Sequence, residues 1–150
     1  MNFEIRHLQP GDEGLALQVV LDVKPEEEQN GREPSIQHLG RFLTLDTNYL
    51  LVAQVGSQPV GFLTAYRIPA LCSDASMVYL YEIEVAPPYR RQGIGKELVN
   101  LLKTECEKSD VEEIWVATEN ENLAAKRLYE STGGICDHPD QFEFVYVLKQ

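Results

Sequence analysis

The 150 residues are 43% apolar and 25% charged, with no biased tract, and read as one domain, residues 1–150, large enough for its own core. Thirteen Lys and Arg against 24 Asp and Glu leave a net charge of −11, which repels phosphate backbones, argues against nucleic acid as a partner and attracts polycations. Cys72, Cys106 and Cys136 form no CxxC pair and suit a reducing cytoplasm, no metal site is suggested, and the charged, alternating Met1–Leu8 stretch is neither a signal peptide nor part of any membrane-spanning run.

Phe3, Ile5 and Leu8 predict a first strand over 2–8, broken by Pro10-Gly11. Asp12 is placed to cap a helix carrying Leu15, Ala16, Val19, Val20 and Val23, which Pro25 stops. Residues 24–34 read as a polar loop, and Ser35 caps a second helix with Ile36, Leu39, Phe42 and Leu43 on one face. Tyr49–Val55 and Val60–Ile68 predict a hairpin around Gly56-Ser57-Gln58-Pro59. Met77–Val85 is a long strand, and Gly93–Glu107 a helix with Ile94, Leu98, Leu101, Leu102 and Cys106 inward. A short strand at Ile114–Thr118 and a helix over 121–132 follow, the latter with Ala124, Ala125, Leu128 and Tyr129 inward and Gly133-Gly134 as its stop. Phe142–Leu148 reads as a closing strand. The order β-α-α-β-β-β-α-β-α-β implies an α/β fold, one mixed sheet covered by helices.

The join at Tyr89-Arg90-Arg91-Gln92-Gly93-Ile94-Gly95-Lys96 carries the clearest chemistry. The first amides of a helix lack internal partners and the helix dipole adds positive charge there. Gly93 and Gly95 take away side chains that would keep a pyrophosphate from those amides, and Arg90 and Arg91 add charge. Other phosphate loops fit worse. A P-loop needs Gly at 90 and Ser or Thr at 97, where Arg90 and Glu97 stand. A dinucleotide fingerprint needs Gly in place of Leu98.

Val85-Ala86-Pro87-Pro88-Tyr89-Arg90-Arg91-Gln92-Gly93-Ile94-Gly95 resembles the acetyl-CoA signature of the GNAT superfamily of N-acetyltransferases. Asn122-x-x-Ala125-x-x-Leu128-Tyr129-Glu130 with Gly133-Gly134 is similar to its second signature. Ser131-Thr132-Gly133-Gly134-Ile135 departs from the Lys-Leu-Gly-Phe of many members. The resemblance implies an acyl-CoA N-acyltransferase fold with a splayed central sheet and acetyl-CoA as co-substrate. It implies a pyrophosphate held at Arg90, Arg91, Gln92, Gly93, Ile94, Gly95 and Lys96. It further implies a pantetheine arm along Ile83, Glu84 and Val85, a cofactor contact from Asn122, and no metal. Lys126 or Arg127 could reach the 3′-phosphate, although a solvated helix face is the simpler reading of both.

Acetylating an amine requires a neutral amine, a donor for the thioester oxygen and a proton for the departing thiolate. By the resemblance Tyr129 is that last acid, and a backbone N–H near Ile83–Val85 is the oxygen's donor. Glu82 is the candidate base. Strict alternation puts Tyr79, Tyr81, Ile83 and Val85 on one face and Leu80, Glu82 and Glu84 on the other. Two carboxylates in a central strand must be paired or used, and burial with like charge raises at least one pKa. A narrower resemblance, from about Phe42 to Gly134, is to the type-I aminoglycoside 3-N-acetyltransferases, which carry Asp where this chain has Glu82. It implies a cationic small-molecule amine as partner, acceptor contacts from Tyr81, Glu82, Glu84, Asp140 and Glu143, a homodimer as in many relatives, and a role in antibiotic resistance. Glu26, Glu27, Glu28 and Asp74 are further candidates for an acidic pocket. Two other readings stay open: a protein, peptide or polyamine N-acetyltransferase, and a non-catalytic acyl-CoA-binding domain.

Overall fold

Five strands form one sheet in the order β1-β2-β3-β4-β5. They are β1 (Glu4–His7), β2 (Asn48–Val55), β3 (Gln58–Pro69), β4 (Ser76–Val85) and β5 (Val111–Trp115). In this computed structural model the described residues are 2–136, 138, 140, 144 and 146–148. Of the predicted closing strand Phe142–Leu148, Phe142, Glu143 and Val145 lie outside them, while Phe144, Tyr146, Val147 and Leu148 are exposed and in no strand. The helices are α1 (Glu13–Asp22), α2 (Glu26–Gln29), α3 (Ile36–Thr44), α4 (Ile94–Glu107) and α5 (Leu123–Ser131), with a 3-10 turn at Pro87–Tyr89.

Strands β1 to β4 pair antiparallel and β4 pairs parallel with β5, so the sheet is mixed, as the element order implied. Each face has its own core. On one side Leu51, Leu63, Val78 and Leu80 pack against Ile94, Leu98, Leu102 and Cys106 of α4. On the other, Leu50, Val52 and Phe62 pack against Ala16 and Val19 of α1 and Leu39 and Leu43 of α3. Alternating residues of β2 supply both layers, which is the period-2 rule at work in a strand covered on both sides.

The sequence reading differs from the structure at several places. Asp12 precedes α1, but its carboxylate accepts from the Gln9 N–H (2.8 Å) and the Arg6 guanidinium (2.9 Å) instead of capping the helix. The region expected to be loop contains α2, whose three glutamates in the first turn suit the positive end of a helix dipole. The hairpin turn is Gly56-Ser57 alone, because Gln58 already pairs with Val55. Ala124 is exposed, while Ala125, Leu128 and Tyr129 turn partly inward. Strand β5 ends at Trp115, three residues short of the expected Thr118, because β4 and β5 stay paired only from Ser76–Val111 to Tyr79–Trp115.

The most consequential difference is a β-bulge in β4. Thr64 pairs with Glu82 and Ala65 with Leu80, leaving Tyr81 as the extra residue. A bulge of this kind places two residues against one and re-aims the chain beyond it. Leu80 therefore belongs to the α4-side core, whereas Glu82 pairs across from Thr64 on the opposite face. Strict alternation predicted Leu80 and Glu82 on one face; the bulge separates them. Val78 and Leu80 point toward α4, so Tyr79 between them faces the same way as Glu82.

Leu98 is fully buried at the centre of the α4 contact. Leu98→Ala is expected to lower unfolding free energy by about 3 kcal/mol, through lost transfer energy and a residual cavity. Denaturant titration checks this; a loss under about 1 kcal/mol would place the centre of the core elsewhere.

Candidate active site

Beyond Tyr79 and Trp115 the two parallel strands part, and a cleft of about 210 Å³ opens between them. Its walls are the second half of β4 (Tyr81 to Glu84), the segment Val116–Thr118, and Asn122, Ala125 and Tyr129 at α5, with Phe62 and Glu28 completing it. Among the described residues, no strand pairs with the β5-facing edge of β4 past Tyr79, so its outward backbone groups face the cleft. The structure thus brings together Tyr81, Glu82, Ile83, Glu84, Asn122 and Tyr129, which the sequence reading had placed in one site.

The glycine-arginine join, expected to hold a pyrophosphate, lies at the C-terminal end of the same strand. Gly93 is the N-cap of α4 with φ +87°, and a Cβ built there would meet nothing within 4 Å. Arg91 also adopts a left-handed conformation, φ +61°, which is uncommon without glycine and costs on the order of 1 kcal/mol. Gly95 differs in its surroundings: a Cβ there would meet Leu128 of α5 at 3.4 Å, an ordinary contact that the packing of α4 on α5 accommodates. Arg90 is likewise already engaged. Its Nε donates to the Val85 carbonyl and its Nη2 to Glu84, each at 2.9 Å. The first turn of α4, at Ile94, Gly95 and Lys96, thus offers helix-end amides beside an open glycine, which fits a pyrophosphate bound through backbone groups.

Asn122 caps α5 by accepting from the Ala125 N–H at 3.1 Å, and it also lines the cleft. Lys126 donates to Asn120. Tyr129 is half-buried; burial, and then the neighbouring Tyr79 phenol, push its hydroxyl above the usual tyrosine value. It therefore stays protonated at neutral pH, as a proton donor must.

Both strand carboxylates are paired. Glu82 forms an ion pair with Lys24, which follows α1, and accepts from the Thr64 hydroxyl at 3.2 Å. Lys24 also pairs with Glu28 at 3.3 Å. Burial alone would lower the Lys24 ammonium, but the hydrogen bond and charge of Glu82, with Glu28 behind it, outweigh burial and raise it. Glu84 pairs with Arg90, yet burial still lifts its carboxyl above the ordinary range. The rise expected for one of the two carboxylates thus falls on Glu84, through burial first.

Of the acidic pocket candidates, Glu28 reaches the cleft. Glu26, Glu27, Asp74 and Asp140 are exposed and line neither this cleft nor its ion pairs, and Glu143 lies outside the described residues. Lys24, Thr64 and Tyr66 were not singled out from sequence. Tyr66 is raised by burial and then by the charge of Glu82, against lowering by Thr64 and Lys24, which puts its phenol in the same group. Two of these carried a readable signal: Thr64 is a hydroxyl inside an apolar strand run, and Lys24 is the lone cation before three glutamates.

A family model described as "Acetyltransferase (GNAT) family" matches residues 17–134. An aminoglycoside acetyltransferase from an uncultured soil metagenomic sample, in complex with trehalose, is similar in structure with a TM-score of 0.89 and 27% identity, over 98% of this chain and 97% of that one. The crystal structure of an aminoglycoside acetyltransferase from such a sample in complex with sisomicin matches with a TM-score of 0.84 and 26% identity, over the same shares. The ribosomal protein bS18-alanine N-acetyltransferase of Escherichia coli strain K12 is 38% identical over 73 residues, 49% of this chain and 48% of that protein. The chain thus spans about half the length of the curated relatives it matches.

Gly93→Ala forces a side chain into φ +87° and is expected to cost about 1–2 kcal/mol of stability while weakening acetyl-CoA binding. Gly95→Ala meets only ordinary contact and gains helix propensity, so it should keep or raise stability. Thermal unfolding and acetyl-CoA titration of both variants check the contrast; equal losses would contradict it.

Proposed function

The chain belongs to the acetyltransferase (GNAT) family, and we propose that it transfers an acetyl group from acetyl-CoA to a primary amine of a cationic small molecule, with an aminoglycoside as the favoured acceptor. The observation that carries this reading is the cleft where β4 and β5 part, which holds Glu82, Asn122 and Tyr129 around one strand edge. Acetyl-CoA supplies the activated acetyl group, and the first turn of α4 and the β4 edge are the surfaces suited to hold it. Glu82 accepts a proton from the acceptor ammonium, directly or through water, which leaves the amine nucleophilic. A β4 backbone N–H polarises the carbonyl. The amine nitrogen bonds to the thioester carbon, the C–S bond breaks as the Tyr129 phenol gives its proton to the departing sulfur, and the second proton shed by the nitrogen returns to the phenolate, directly or through water.

Lys24 has a part in this scheme. It is a cation resting on the proposed base, so an acceptor ammonium reaches Glu82 by replacing it. The aminoglycoside acceptor is supported by the metagenomic structures, which match nearly the whole chain, and by the acidic balance. A second reading, acetylation of a protein N-terminus, is favoured by the likeness to the bS18-alanine enzyme over half the chain. An acetyl-CoA turnover screen across aminoglycosides, linear polyamines and peptides decides between them. No turnover of any aminoglycoside with clear turnover of an Ala-initiated peptide would move the assignment to the second reading.

Glu82→Gln is expected to lower kcat by roughly 10²–10⁴ with acetyl-CoA binding intact. Tyr129→Phe should also lower kcat and abolish the alkaline limb of the pH profile. That limb lies above the ordinary tyrosine range, because burial, and then Tyr79, hold the proton on the phenol. Unchanged transfer in both variants would refute the mechanism. Lys24→Met should lower the acceptor KM roughly fivefold, the effect of removing a part-exposed ion pair of about 1 kcal/mol, and leave the acetyl-CoA KM alone. A rise in acceptor KM would show that Lys24 helps binding instead.

A further inference from the structure

On the Glu82 face of the sheet, five aromatic rings touch in sequence across four elements. Phe42 of α3 meets Tyr66 of β3 edge-on with centroids 6.1 Å apart, and Tyr66 meets Tyr81 of β4 at 5.8 Å. Tyr81 meets Tyr79 at 6.1 Å, and Tyr79 stacks on Trp115 of β5 at 4.1 Å and 21°. Strict alternation already puts Tyr79 and Tyr81 on one face; the bulge is what brings Glu82 onto the face that Tyr79 occupies. The row is not core. Tyr81 is 59% exposed and Trp115 44% exposed, and neither belongs to the two buried clusters. Large rings held in mutual contact with their outer surfaces in water mark a binding surface more often than a stability device.

The row runs into the proposed chemistry. Tyr81 lines the cleft beside Glu82 and Tyr129, and Tyr66 lies within the electrostatic reach of Glu82 and Lys24. Its occupant must match both an aromatic floor and a carboxylate edge. A polyanion is repelled by Glu82, Glu84 and Glu28, and so is a second copy of a chain with net charge −11. A linear polyamine satisfies the carboxylates but brings no broad face to the rings. A saturated ring bearing ammonium groups satisfies both, through C–H and cation contacts to the aromatic faces and ion pairs at the edge.

We infer that Tyr66, Tyr81, Tyr79 and Trp115 form an acceptor shelf that selects amino-substituted saturated rings, with Trp115 as its far anchor from Glu82. The inference rests on the acetyl-transfer reading and names the substrate class of that site. Trp115 is the single tryptophan of the chain, so its fluorescence reports on the shelf directly. With saturating CoA present, titration with sisomicin should change Trp115 emission saturably, and spermidine at equal charge concentration should not. Trp115→Ala and Tyr81→Ala should each raise the sisomicin KM tenfold or more, with the acetyl-CoA KM and the spermidine KM within twofold. Trp115→Phe should recover most of the loss. Tyr81, being largely exposed, gives a variant that keeps the fold even if Trp115→Ala does not. Turnover of sisomicin with no emission change and unaltered KM in Tyr81→Ala overturns the shelf but leaves the acetyltransferase reading intact. A saturable emission change without turnover supports the shelf and removes the aminoglycoside as acceptor. Absence of both overturns both.

Discussion

The parallel pairing of β4 with β5 stops at Tyr79 and Trp115, and the functional half of the molecule is arranged around that stop. Parallel strands that continued together would satisfy each other's backbone and leave no room between them. Parting them exposes a strand edge inside the protein, a feature that folds normally cover or pair. Here the uncovered edge becomes one wall of a cleft, with Val116–Thr118 and α5 as the other. The bulge at Tyr81 acts on the same stretch. It turns Glu82 away from Leu80 and the α4-side core and toward Thr64, Lys24 and the aromatic rings.

Electrostatics reinforce this geometry through scarcity. With 13 basic residues against 24 acidic ones, two of the cations beside the cleft are held by carboxylates. Lys24 answers Glu82 and Glu28, and Arg90 answers Glu84. Arg90 is thereby committed, so a pyrophosphate held at the join, as proposed, would draw on the oriented amides of α4. That agrees with an N-cap that presents no side chain and with the conformational strain held at Arg91.

Much of this was legible from the chain alone because its signals are local. Ser35 caps α3, accepting from the His38 N–H as its position suggested, and the stripe Ile94, Leu98, Leu102, Cys106 is buried as its spacing required. The glycine and arginine pattern before α4 depends on one turn of backbone, and Gly93 of that pattern is the N-cap of α4 with open space around it. What stayed hidden depends on registers between distant segments. Nothing in Tyr79-Leu80-Tyr81-Glu82 announces a bulge, since its cause lies in the fit of β4 against β3. Lys24 and Glu82 are 58 residues apart, and their pairing follows from how α1 ends above the sheet. The early end of β5 is equally non-local, because Val116 and Ala117 have ordinary strand character and leave the ladder only where the two strands diverge. Gly95 was read for its missing side chain alone, whereas its contact with Leu128 is visible only once α4 and α5 are packed.

Lys103 adds a mechanical link. From the third turn of α4 its ammonium donates to the Thr132 carbonyl at 2.8 Å, holding the C-terminal end of α5. Just inside that end, the Tyr129 carbonyl accepts from the Gly134 N–H at 2.8 Å. One rigid helix thus carries the glycine turn at Gly95 and fixes the helix bearing Tyr129 at Lys103, about 12 Å apart along its axis. Its length and phase work as a gauge between that turn and α5. Inserting one residue between Gly95 and Lys103 would advance the tie by about 1.5 Å and swing it through roughly 100°. The spacing between the glycines and the tyrosine is thereby a property of α4 as a rod, and neither end can drift without carrying the other.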